Sequence, residues 1–119
     1  MAITFLIDEN LRGPLWRAIQ RHNAIGGLII DAVRVGDPVD LPLGTLDPTI
    51  LDWIEREDRI LLTFDRVSMP AHLAAHLQDG KQSPGIFVID QTCSLQTVVE
   101  YLELVAHAGD PVEFRDQVW

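Results

Sequence analysis

The feature that most limits what this chain can become is an alternation. Four short apolar runs, Ile3 to Ile7, Leu28 to Val35, Arg59 to Phe64 and Ile86 to Ile89, are separated by longer segments of helical period. Strands that alternate with helices predict an α/β fold, a mainly parallel sheet covered by helices on both faces. Between the first two runs, Leu11, Leu15, Ala18 and Ile19 make one face of a helix that Gly26 and Gly27 end. Ile50, Leu51 and Ile54 do the same before the third run, and a shorter helix runs from Met69 to Leu77, closed by Gly80. Leu95, Val98, Val99, Leu102 and Val105 form the clearest stripe and predict the last helix. The tail after Gly109, "DPVEFRDQVW", fits either an edge strand or an arm. Sequential adjacency and right-handed crossovers favour the strand order 2-1-3-4.

At 119 residues a chain can bury roughly two-thirds of its unfolded surface. A single domain over residues 1–119 is therefore expected. The balance of 9 Lys and Arg against 18 Asp and Glu gives a formal charge of −9, which repels nucleic acid and acidic membranes at long range. Any polyanion must then be held by a local patch or a metal. The single Cys93 allows no internal disulfide, and no stretch reads as a signal peptide or a membrane span. A cytoplasmic protein is expected.

In the order 2-1-3-4 the winding reverses beside strand one, and open sheets of this kind bind ligands outside the strand carboxyl ends at that switch point. Asp8 and Asp65 each sit at the end of one of the two strands concerned. Two carboxylates at neighbouring strand ends repel each other unless a cation lies between them, and hard oxygen ligands suit Mg²⁺ or Mn²⁺. Glu9 and Asp47 are candidates to complete a cup. Asp47 precedes Pro48 and is fully accounted for as a helix N-cap; as the start of the helix feeding strand three it also overlooks the crevice. Asp8 or Asn10 can likewise serve as a cap for the first helix. Asp90, after strand four, reads as turn chemistry. The segment from Gly36 to Leu46, "GDPVDLPLGTL", is long, irregular and rich in Pro and Gly, the kind of loop that tends to carry function.

His72 and His76 stand four apart, a spacing that can hold zinc from one helix face, but the metalloprotease pattern needs a Glu where Leu73 stands. Both read as surface or half-buried histidines. Cys93 reads as a small buried or loop residue, and Trp16 and Trp53 as packing residues.

The pattern "LIDEN" with "TFDRVSMP" resembles response-regulator receivers, but the only lysine, Lys81, precedes strand four, and Asp90 stands where receivers place a Ser or Thr. A broader resemblance covers nearly the whole chain. "FLIDEN", "LPLGTLDPTILDWIEREDRILLTFD", "MPAHLAAHLQDG", "SPGIFVID" and a leucine-rich closing helix are similar, in that order, to the small PIN-like proteins of prokaryotes. Those are compact relatives of the ribonuclease toxins of toxin–antitoxin pairs. The resemblance implies a three-layer PIN-like fold and a Mg²⁺- or Mn²⁺-dependent endoribonuclease. Asp8, Asp47 and Asp65 would be its catalytic metal ligands. Asn10 matches the family's "DEN", and Arg12 and Arg66 stand where they can meet phosphate. It further implies an RNA substrate, an antitoxin partner or a homodimer, and no membrane. Many PIN relatives carry another acid two residues after the strand-three Asp, and here that position is Val67. A catalytically silent PIN-like interaction module is the alternative expectation, and a receiver-like phosphoacceptor the third.

Overall fold

A computed structural model describes residues 2–11 and 13–119. Its sheet has four strands, β1 (Thr4–Ile7), β2 (Ala32–Arg34), β3 (Arg59–Thr63) and β4 (Ile86–Val88), in the order β2-β1-β3-β4 with every neighbouring pair parallel. The expected α/β class and strand order are both present. Helices α1 (Pro14–Ala24) and α4 (Leu95–Ala108) cover one face, α2 (Asp47–Glu57) and α3 (Ser68–Gln78) the other, and a short α5 (Pro111–Phe114) follows α4.

The pleat explains the three layers. Phe5 and Ile7 of β1 and Ile60 and Leu62 of β3 point to one side, where Leu15, Ile19, Val98 and Leu102 meet them. Leu6 and Leu61 point to the other, against Ile50, Leu51, Ile54, Met69 and Leu73. A strand apolar at every position is what a central parallel strand requires, since both of its faces are covered.

Three local expectations need correction. Leu11 joins the same core but lies in a 3-10 turn, Glu9–Leu11, ahead of α1. The helix cannot run through Pro14, which takes the first helical position and disfavours helical backbone in the residue before it. The second strand is only Ala32–Arg34, not Leu28 to Val35. Asn23 accepts from the Ile30 amide and donates to its carbonyl, both at 2.9 Å, so those groups are withheld from a ladder while Leu28 and Ile29 stay exposed. His76 is buried, not superficial: its Nε2 lies 2.8 Å from both Glu55 Oε1 and the Gln82 carbonyl, tying α2 to the chain after α3.

The tail combines both expectations. After α5, the Ile86 amide donates to Gln117, the Val88 amide to Trp119 and the Trp119 amide to Ile86, so the tail covers the outer edge of β4. Gly85 makes this possible: at φ +127° with the Phe114 carbonyl 2.4 Å from where a Cβ would stand, no other residue fits. Among the described residues no helix is long and apolar enough to cross a membrane.

Candidate active site

The carboxyl ends of β1 and β3 lie side by side, Ile7 in register with Leu62. Asp8 follows β1 and is 8 % exposed. Its Oδ1 accepts from the Glu9 amide and its Oδ2 from the Thr63 hydroxyl, each at 2.8 Å. Burial pushes the Asp8 carboxyl above the ordinary aspartate value; the Thr63 and Glu9 donors pull it down, and the charges of Asp47 and Glu9 push it up again. The charge of Asp47 thus acts on Asp8, after burial and the two donors in order of size.

Asp47 is not the cap of α2. It is the first helical residue, Leu46 occupies the cap position in extended backbone, and no side chain caps the helix. The Asp47 carboxylate instead lies 3.6 Å from His72 Nε2 on α3. Asp8 and Asn10 do not cap α1 either, since Gly13 holds that position.

Asp65 has the duty that Asp47 lacks. Its Oδ1 accepts from the amides of Val67 (3.0 Å) and Ser68 (2.8 Å), and its Oδ2 accepts from the Ser68 hydroxyl. The Ser68 hydroxyl holds the Asp65 carboxyl below its ordinary value; burial opposes, and the amides of Val67, Ser68 and Met69 act with the hydroxyl. Asp65 thus closes the start of α3. It is joined to Asp8 through Thr63, whose hydroxyl donates to Asp8 and accepts from the Asp65 amide at 3.1 Å.

The other expected residues scatter around this centre. Glu9 reaches across to the Gly44 amide and pins the long loop to the end of β1. At the loop's other side Asp40 accepts from Trp53 Nε1 (3.1 Å) and Arg56 (2.7 Å). Asn10 is exposed, with its Oδ1 3.4 Å from the Phe64 amide. Arg66 is exposed and its charge acts on Asp90, whose carboxyl is lowered first by the Thr92 amide and then by the Thr92 hydroxyl, a turn as expected. Arg12 lies outside the described residues. Cys93 is exposed in a loop, and Trp16 packs beneath the Arg34 guanidinium, 4.4 Å from the ring centre.

Thr63 is the residue that reading the chain missed. The signal was one hydroxyl in the apolar run "RILLTF", fully buried beside an acid. A buried hydroxyl needs a partner, and here it has two acids' groups to serve.

Asp8 and Asp47 carry carboxylate oxygens, the donor type that Mg²⁺ or Mn²⁺ would take; in this structure the Asp8 oxygens accept from Glu9 and Thr63 and Asp47 pairs with His72. Among the described residues no three His, Cys, Asp or Glu side chains form a ready ligand set. Cavities of about 250 and 350 Å³ lie elsewhere, one lined by Ile3, Thr4, Asp58 and Arg115, the other by Phe87, Tyr101 and Trp119. Comparison with protein-family models, with curated proteins and with solved structures gives no match.

Proposed function

We propose that this protein is a metal-dependent endoribonuclease of PIN-like type, acting on single-stranded RNA in the cytoplasm as the toxin-like member of a toxin–antitoxin pair. The observation that supports this reading best is Asp8 itself: a buried carboxylate at a strand end beside the switch point, on which the charge of Asp47, a residue that does no capping, also acts. A Mg²⁺ or Mn²⁺ ion held by Asp8 and Asp47, with Asp65 alongside, would polarise a scissile phosphate and lower the pKa of its bound water.

The chain's own residues supply the rest. Thr63 and the Glu9 amide fix the Asp8 carboxylate, and Glu9 holds the loop beside it. Arg66, exposed beyond Asp65, offers cationic charge to a phosphate backbone in a protein whose net charge is −9.

The test is cleavage of a single-stranded RNA with Mn²⁺ or Mg²⁺, with and without chelator, by the parent and by Asp8→Asn. Chelator-sensitive cleavage that Asp8→Asn abolishes is the expected result. Equal cleavage by Asp8→Asn, or cleavage indifferent to chelator, overturns the reading. One observation favours a second reading, a silent PIN-like interaction module: the Asp65 carboxylate is already taken up by the start of α3. Metal binding without hydrolysis is the outcome that selects it.

A further inference from the structure

The amino ends of β1 and β3 frame a second region, at the opposite end of the sheet from Asp8. Two cavities of about 250 and 280 Å³ lie there and share Asp58, Pro84 and Arg115 in their linings. The first is walled by Ile3, Ile60, Pro84 and Pro111, with Asp58 and Arg115 among its polar side chains. These two are oppositely charged and line one space, yet among the described residues neither side chain makes an ion pair or a hydrogen bond. Glu57, in the same lining, is by contrast 3.5 Å from Arg56.

Both charges are placed by their backbone. Asp58 ends α2 in the left-handed conformation, φ +55°, with its amide bonded to the Ile54 carbonyl and its own carbonyl accepting from the Thr4 hydroxyl at 3.2 Å. Glycine or asparagine is the usual choice there, and a carboxylate at the carboxyl end of a helix stands where the dipole favours a cation. Asp116, next to Arg115, is the other non-glycine residue of positive φ among the described residues, at +59°. Its amide donates to the Ser83 carbonyl at 2.9 Å and its Oδ1 accepts from the Ser83 amide at 2.8 Å, which fixes the chain that carries Arg115.

We propose that this cavity binds a free α-amino acid with an apolar side chain. Arg115 takes the carboxylate, Asp58 takes the ammonium at the end of α2, and Ile3, Ile60, Pro84 and Pro111 take the side chain. A simple anion would leave Asp58 unmet and a simple cation would leave Arg115 unmet, so a zwitterion matches the lining. The volume suits a small molecule, since it lies below the ~300–1,000 Å³ of sites for drug-sized ligands. The site is independent of the metal-dependent reading above.

The experiment is an amide NMR titration of the whole protein with L-leucine at physiological salt, where long-range charge is screened. Leucinamide lacks the carboxylate, isocaproate lacks the ammonium and glycine lacks the side chain, so each removes one contact. Leucine should shift the Thr4, Asp58 and Arg115 amides with an affinity on the order of 1 mM, as ligands of few atoms reach. Each of the other three should bind about fivefold more weakly or worse. Arg115→Gln should weaken leucine by a similar factor and abolish its advantage over leucinamide. Asp58→Asn, which keeps a residue that left-handed backbone tolerates, should instead abolish the advantage over isocaproate. A folding defect cannot produce that crossed pattern. Absence of shifts at those amides, equal binding of leucine and either analogue by the parent, or variants that keep both preferences overturns the proposal.

Discussion

The starts of α2 and α3 each carry an aspartate, and the two have exchanged the roles their sequences suggest. At α2, Asp47 stands before Pro48 as caps commonly do, yet it makes no cap; its carboxylate lies 3.6 Å from His72 and its charge acts on Asp8. At α3, Asp65 ends a strand beside the switch point as ligands commonly do, yet its carboxylate gathers two amides and a hydroxyl of its own turn. A carboxylate that finds donors is held below its ordinary pKa, whereas one that finds burial and other carboxylates is pushed above it. Asp65 is the first kind and Asp8 the second. A carboxylate whose burial outweighs its donors is the kind of group that functional sites hold, and Asp8 is the one of that kind here.

Thr63 joins the two halves of this comparison, so removing its hydroxyl gives the largest effect. Thr63→Val keeps the shape but leaves an Asp8 oxygen and the Asp65 amide without their partner. Leaving a buried polar group unsatisfied costs about 1–3 kcal/mol, and urea unfolding at neutral pH should show a loss in that range. A neutral result would mean that water replaces the hydroxyl and that the halves are independent. Next comes Asp65→Ala, which removes the closure of α3 and should cost about 1 kcal/mol, up to ~2. Asp65→Asn, retaining one accepting oxygen, should lose less by the same measurement.

A pH series of urea midpoints sharpens the contrast, because the two acids act with opposite sign. Asp65 has a folded pKa below the ordinary aspartate value of 3.8, so the unfolded chain binds more protons in that window. Its contribution is complete above 3.8 and is lost as pH falls through the folded pKa. Asp8 has a folded pKa above 3.8, so its contribution is complete below 3.8 and fades as pH rises through the folded value. Asp65→Asn should flatten the acid side of the profile, and Asp8→Asn the decline above it. Parallel profiles for both variants would erase the distinction. The smallest effect belongs to Asp47→Asn. With no cap to lose, and with a favourable helix-start charge offset by relief of Asp8, the metal-free protein should stay within about 0.5 kcal/mol of the parent. A loss near a full cap's value would return Asp47 to the role its sequence suggests.

These cases also mark what was legible in the chain. Strand order, both covering layers and the position of Asp8 follow from apolar period and the rules of parallel connections, because burial on two faces leaves a strand few choices. The orientation of a carboxylate does not follow, since Asp-Pro and Asp-x-x-Ser both admit a cap, and only the backbone of Leu46 and of Ser68 decides which carboxylate is taken. The shortened β2 was hidden for a similar reason: the bond between Asn23 and Ile30 spans 7 positions and leaves no mark on the apolar pattern of Leu28 and Ile29. Thr63 was passed over because one hydroxyl in an apolar run looks like ordinary strand chemistry until its neighbours are known.

The central place of β1 has a consequence for the order in which the protein assembles. This strand lies near the start of the chain, yet the neighbour that anchors its end arrives 55 positions later, when Thr63 reaches Asp8. At ~5–20 residues per second of synthesis, Phe5, Leu6 and Ile7 wait roughly 3–11 s for that partner. A waiting apolar strand is an invitation to pair with another nascent chain, and charges placed directly beside it are the usual protection. Asp8 and Glu9 occupy that flank. The same acids that crowd the finished crevice therefore guard the segment before the crevice exists.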